Sequence, residues 1–272
     1  MKKVTLTFFL IVSSLVVWPL PVRAGQEIVT LDARPGVTLK VLLLTPSGSH
    51  EGTLLMFPGG DGKGHFTERE GKVRLSRNFL VRSSNLFVDQ GFLVAIVDVP
   101  SDQAAGMSPQ FRTSKEHTED IQKVIHMLGE KWPGAIFLVG TSAGTISVAN
   151  LAVTLKADRI SGIVLTASIG MTRGSRLSLM NLHLEKITLP VLFVHHREDG
   201  CWASSFNHAL QLRDRMTGSS KTAFIEVLGG DPPRSEPCQA MSPHGFLGKE
   251  REVVRAITDW LTGKPVPEQI GP

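Results

Sequence analysis

Short apolar runs recur along this chain between amphipathic stretches, and that alternation limits the folds open to it more than any other feature. Residues 53–57, 92–97, 135–139, 160–166, 190–195 and 222–228 are apolar nearly throughout, as strands buried on both faces must be. A further strand is read over residues 37–45. Between the runs, residues 114–132 place Ile121, Val124, Ile125 and Leu128 on one helical face. Residues 78–90 space Phe79, Leu80, Leu86 and Phe87 as a helix does, and Gly91 supplies the stop. Helices are also read over 143–156, 205–216 and 250–261. Strands and helices in alternation predict an α/β fold, three layers deep, with a mostly parallel central sheet and helices on both faces. In such open sheets the site lies beyond the carboxyl ends of the strands, so the loops that follow strands are the ones to search. Neither a repeat nor a linker divides residues 25–272, which are read as one domain; the tail after Gly263, with Pro265, Pro267 and Pro272, is expected to trail over the surface.

Residues 1–24 read as a signal peptide. Lys2 and Lys3 open it, residues 6–17 are apolar, and Val22-Arg23-Ala24 offers small residues where a signal peptidase cuts, ahead of Gly25. The apolar run is too short to span a bilayer comfortably, and Pro19 and Pro21 interrupt its end. The expectation is export to the periplasm or the medium, with no membrane anchor left after cleavage. Removing Lys2, Lys3 and Arg23 lowers the formal net charge of +4 to +1. A near-neutral domain lacks the electrostatic footprint for nucleic acid. In an oxidising compartment Cys201 and Cys238, the two cysteines of the chain, are expected to form a disulfide.

Gly140-Thr141-Ser142-Ala143-Gly144 follows the strand at 135–139 and opens the next helix. A G-x-S-x-G segment in strand–turn–helix context is a nucleophile elbow. The serine sits on a tight turn, and Gly140 and Gly144 leave room for strand and helix to pass closely. Ser142 is thereby exposed at a helix N-terminus, where developing negative charge is favoured.

With this elbow in place, the sequence resembles the α/β-hydrolase superfamily from about Val37 to Leu261. The resemblance implies a nucleophile, an acid and a histidine in the chain order Ser, Asp or Glu, His. The run from Pro190 through His195-His196-Arg197-Glu198-Asp199 looks like the family's strand-then-acid segment, with His196 where a glycine is usual. Asp199 falls on the acid position, and Glu198 is its rival. Ser242-Pro243-His244-Gly245-Phe246 occupies the loop that carries the family's histidine, which makes His244 the general base and acid. Phe57-Pro58-Gly59-Gly60-Asp61-Gly62 resembles the family's oxyanion loop; a donor at Gly60 or Asp61, with the N–H of Ala143, would hold the oxyanion. The disulfide would then tie the acid loop to the histidine loop.

Residues 167–189 leave room for a loop and one short helix, so no large lid is expected. The tandem histidines point to opposite sides near a strand end and lack metal-ligand spacing, so they are read as structural. No cofactor is called for, and the oligomeric state is left open. The resemblance implies a serine hydrolase acting on a small carboxylic ester, or on a lactone as dienelactone-hydrolase-like relatives do. An acyltransferase with the same triad, and a non-catalytic binding protein on the same fold, remain as alternatives.

Overall fold

The computed structural model describes residues 25–69, 72–155, 159–172 and 177–271. The signal-peptide reading of residues 1–24 and the expected helix end at Lys156 lie outside them. In chain order the elements are β1 (Gly25–Arg34), β2 (Val37–Thr45), β3 (Thr53–Phe57), the small hairpin β4 (Thr67–Arg69) and β5 (Lys72–Arg74), α1 (Phe79–Arg82), α2 (Ser84–Asp89), β6 (Leu93–Val97), α3 (Pro109–Arg112), α4 (Lys115–Lys131), β7 (Ile136–Thr141), α5 (Gly144–Thr154), β8 (Gly162–Thr166), β9 (Val191–His196), α6 (Phe206–Asp214), β10 (Thr222–Val227), α7 (Glu250–Leu261) and β11 (Gln269–Ile270). Nine of the strands form one sheet in the order β1-β2-β6-β3-β7-β8-β9-β10-β11. The β1–β2 and β2–β6 pairs are antiparallel and every other pair in this sheet is parallel.

Side chains alternate across a strand, and β3 shows how that alternation builds two cores. Leu55 and Phe57 face one layer, with Ile121 and Val124 of α4 and Ile146 and Leu151 of α5. Leu54 and Met56 face the other, with Phe79 and Phe87 and with Val253, Val254 and Ile257 of α7. Each fully buried Leu, Val or Phe contributes about 1.5–3 kcal/mol of transfer free energy. Serine caps set the helix starts: Ser114 accepts from the His117 N–H at α4, and Ser205 from the His208 N–H at α6.

Three features depart from the sequence reading. The chain begins its sheet at β1, which the sequence reading omits; this edge strand is mostly exposed or half-buried and has no continuous apolar run. The helix expected over 78–90 is two short ones, broken at Ser83, while the Ser84 hydroxyl donates to the Val81 carbonyl. The tail does not simply trail. It returns to pair β11 with β10 in parallel register, and Ile270 is buried there. Between β8 and β9 the described residues form a loop with two 3₁₀ turns, Leu179–Asn181 and Leu184–Lys186, and no inserted lid.

Candidate active site

The elbow follows from sterics. A Cβ on Gly144 would lie 2.0 Å from the Phe57 carbonyl oxygen, and one on Gly140 would lie 2.8 Å from backbone atoms of Gly144. Only glycine lets β7 and α5 pass the end of β3 at this distance. Between them Ser142 takes φ 51°, a left-handed conformation that costs a non-glycine residue about 1–2 kcal/mol. The turn is locked by the Ser142 N–H on the Thr166 carbonyl at 3.0 Å and by the Thr145 hydroxyl on the Ser142 carbonyl at 2.6 Å.

Asp199 sits in the turn after β9. Its Oδ1 accepts from the Cys201 N–H at 2.9 Å, and its Oδ2 accepts from the Ser204 hydroxyl and from His244 Nδ1, each at 2.9 Å. The Asp199 and His244 side chains are only 1% and 6% exposed, so solvent screens the pair weakly. A carboxylate only accepts, so the proton resides on His244 Nδ1 and Nε2 is left as the acceptor. Glu198, the rival acid, is exposed. Asp199 and His244 therefore meet as the sequence reading expects, across a separation of 45 residues.

His244 lies on a 3₁₀ turn, Pro243–Gly245, held from several sides. Arg82 Nη2 donates to the Gly245 carbonyl at 2.6 Å and to Glu250 Oε1 at 2.8 Å. The Ser242 hydroxyl reaches the Gln239 carbonyl at 2.7 Å. Phe246, at φ 58°, packs edge-on against Phe79 with ring centroids 4.9 Å apart. The Cys201–Cys238 disulfide joins the acid turn to the segment leading into His244.

After β3 the chain turns tightly, with the Gly62 N–H on the Gly59 carbonyl at 3.1 Å and Gly60 at φ 60°. Gly59 lies against the elbow: a Cβ there would stand 2.9 Å from Ser142 Cβ. The N–H groups of Gly60, Asp61 and Ala143 have no protein acceptor among the described residues. Gly60, Asp61, Ser142 and His244 line one cavity of about 290 Å³. Among the described residues no hydrogen bond joins the Ser142 hydroxyl to His244; such contacts commonly close only around substrate. Larger hollows, of about 470 and 680 Å³, lie by α4 and along β10, and neither contains Ser142 or His244.

The tandem histidines have separate protein partners. His195 Nε2 accepts from the Ser168 N–H at 2.9 Å, and burial pushes its pKa down to about 3. His196 Nε2 donates to the Gly229 carbonyl at 2.8 Å. Sequence reasoning missed Ser204, which bridges Asp199 and His244, and Arg82, which holds the histidine turn. Neither sits in a motif, and only the fold brings them to the site.

No protein-family model matches the chain, and no curated protein matches it in sequence. Solved structures do resemble it. A highly thermostable carboxyl esterase from Bacillus coagulans covers 88% of this chain and 98% of its own at 12% identity, with a TM-score of 0.61. A dienelactone hydrolase from Anabaena variabilis covers 89% and 99% at 12% identity, TM-score 0.59. An α/β serine hydrolase without a lid from Xanthomonas campestris covers 88% and 97% at 12% identity, TM-score 0.56. Strand order, strained elbow and overall likeness agree: the chain has the α/β-hydrolase fold, with no lid domain among the described residues.

Proposed function

We propose that the protein is a serine hydrolase that cleaves a small carboxylic ester or lactone. The observation that carries this reading is the buried Asp199–His244 pair opening onto the same cavity as Ser142. In this scheme His244 Nε2 takes the Ser142 hydroxyl proton as Oγ attacks the acyl carbon. The N–H of Ala143, with one from the residue 60–61 turn, receives the negative charge on the former carbonyl oxygen. Collapse of the tetrahedral intermediate expels the alcohol, which leaves with the proton from His244. Water then attacks the acyl-enzyme and gives a proton to His244, which passes it to Ser142 Oγ as the acyl–oxygen bond breaks, releasing the acid and restoring the serine hydroxyl. Asp199 holds the ring and stabilises the imidazolium, and Ser204 adds a second anchor to both.

Esterases and a dienelactone hydrolase among the structural neighbours support the same reaction class. A cavity of about 290 Å³ with no lid over it suits compact acyl groups. A chain-length series of aryl esters tests this: turnover should peak at short acyl chains, and a peak at long chains with interfacial activation would contradict it. The disulfide accords with an oxidising compartment, and among the described residues no helix is long and apolar enough to cross a membrane. We infer export with cleavage before Gly25. Intact mass of the secreted protein should begin there, and retention of Lys2 and Lys3 would refute it.

A further inference from the structure

Among the described residues Arg112 is the bulkiest side chain fully removed from solvent, and no step of the proposed mechanism uses it. It ends the short helix α3 and runs beneath the turn after β3. Nη1 donates to the Ser147 hydroxyl of α5 at 3.1 Å. Nη2 donates to the carbonyls of Gly60 and Pro58 at 3.3 and 3.4 Å. The turn packs directly on the guanidinium, since a Cβ on Gly62 would lie 2.7 Å from Nη2. Among the described residues no carboxylate forms an ion pair with Arg112, and its Nε has no partner. The acidic group that acts on it is Asp61, whose carboxylate lies beside Lys63 and His65. Burial pushes its pKa down to about 10, which leaves it charged at neutral pH.

A buried guanidinium without a carboxylate is expensive to keep, and its position shows what it does. In a trans peptide the C=O and N–H point to opposite sides. The Gly60 carbonyl is turned inward to Arg112, so the Asp61 N–H of that same peptide faces the other way. Asp61 lines the cavity and Arg112 does not, so the other way is the cavity. The Met107 N–H holds the next carbonyl, that of Asp61, at 2.8 Å. The geometry points to Arg112 as the positioning residue of the oxyanion site: it fixes the Gly60–Asp61 peptide with its N–H toward Ser142 and sets a permanent positive charge behind the turn. This rests on the serine-hydrolase reading. A donor aimed in advance at the developing oxyanion raises kcat more than it tightens substrate.

The test compares wild type with Arg112→Met, Arg112→Lys and Ser147→Ala. Active sites are counted with a fluorophosphonate, kcat and KM are measured on one short aryl ester, and affinity is measured for a trifluoromethyl ketone whose Ser142 adduct carries an oxyanion. In Arg112→Met, kcat and ketone affinity should both fall about 100-fold while KM stays within about threefold, the pattern of a lost oxyanion donor. Arg112→Lys keeps the charge and loses the fork, so it should recover about tenfold of that loss. Ser147→Ala should lower both by about threefold. If Arg112→Met does not fold, the lysine and alanine variants decide on the same two readouts. Lower melting temperature with unchanged kcat per active site and unchanged ketone affinity would overturn the proposal and leave Arg112 a packing residue. An active wild type with unaffected variants overturns this inference alone. A wild type that neither turns over esters nor binds the ketone at Ser142 overturns the hydrolase reading and this inference with it.

Discussion

Ser142 owes its place to the two residues that flank it at a distance of two. Gly140 and Gly144 have no slack at all, and Gly144 has the least, with the Phe57 and Pro58 carbonyls where a side chain would begin. Gly144→Ala must therefore push α5 away from the end of β3 and disturb the turn carrying Gly60. We expect a loss of about 1–3 kcal/mol in urea unfolding, as for other overpacked sites, with kcat down about 100-fold from misplacement near the reacting atoms. Wild-type kcat in the folded variant would show that the close approach is not needed. At this scale the sequence was readable where position follows a spacing: Ser142 lies on the strained turn after β7, and Asp199 and His244 meet in space. Arg112 and Ser204 were not readable. One arginine among 29 basic residues carries no mark of burial until the fold encloses it.

At the scale of elements, the buried parallel strands were legible because full burial demands unbroken apolar runs. The edges of the sheet were not. β1 is an edge strand with scattered apolar residues: Val29, Leu31 and Ala33 pack against one core layer and Ile28 against the other, with exposed residues among them. β11 is two residues long behind Pro265 and Pro267, and pairing with β10, rather than its own sequence, makes it a strand. The two loops that carry Asp199 and His244 are elements of a different kind, held by a cross-link instead of a ladder. Cys201 follows Asp199 by two residues and donates its N–H to that carboxylate, while Cys238 lines the cavity with His244. Replacing both cysteines by serine should cost about 2–4 kcal/mol of stability and lower kcat together with melting temperature. Identical melting curves before and after reduction of the wild type would contradict this.

For the molecule as a whole, two buried histidines couple stability to acid. Burial pushes both His117 and His195 down to about 3 from an ordinary 6.5, with Arg112 and Arg34 adding repulsion at His117. Between those values the unfolded chain holds protons that the folded chain refuses. Stability therefore rises with pH across that window and is lost as pH falls through it, at up to about 1.4 kcal/mol per pH unit for each ring. Urea unfolding from about pH 4 to 7 should show this slope, and His195→Asn should flatten it by up to half. A curve equally steep in the variant would show that His195 does not contribute to the acid sensitivity.

The proposed reaction requires Ser142 to act as an activated nucleophile beside His244. The most direct measurement is to label the purified protein with a fluorophosphonate probe and map the modified residue by peptide mass spectrometry. A single adduct on Ser142 is expected, with labelling and ester turnover both lost in folded Ser142→Ala by several orders of magnitude. An unlabelled wild type, an adduct on another residue, or turnover that survives Ser142→Ala would contradict it.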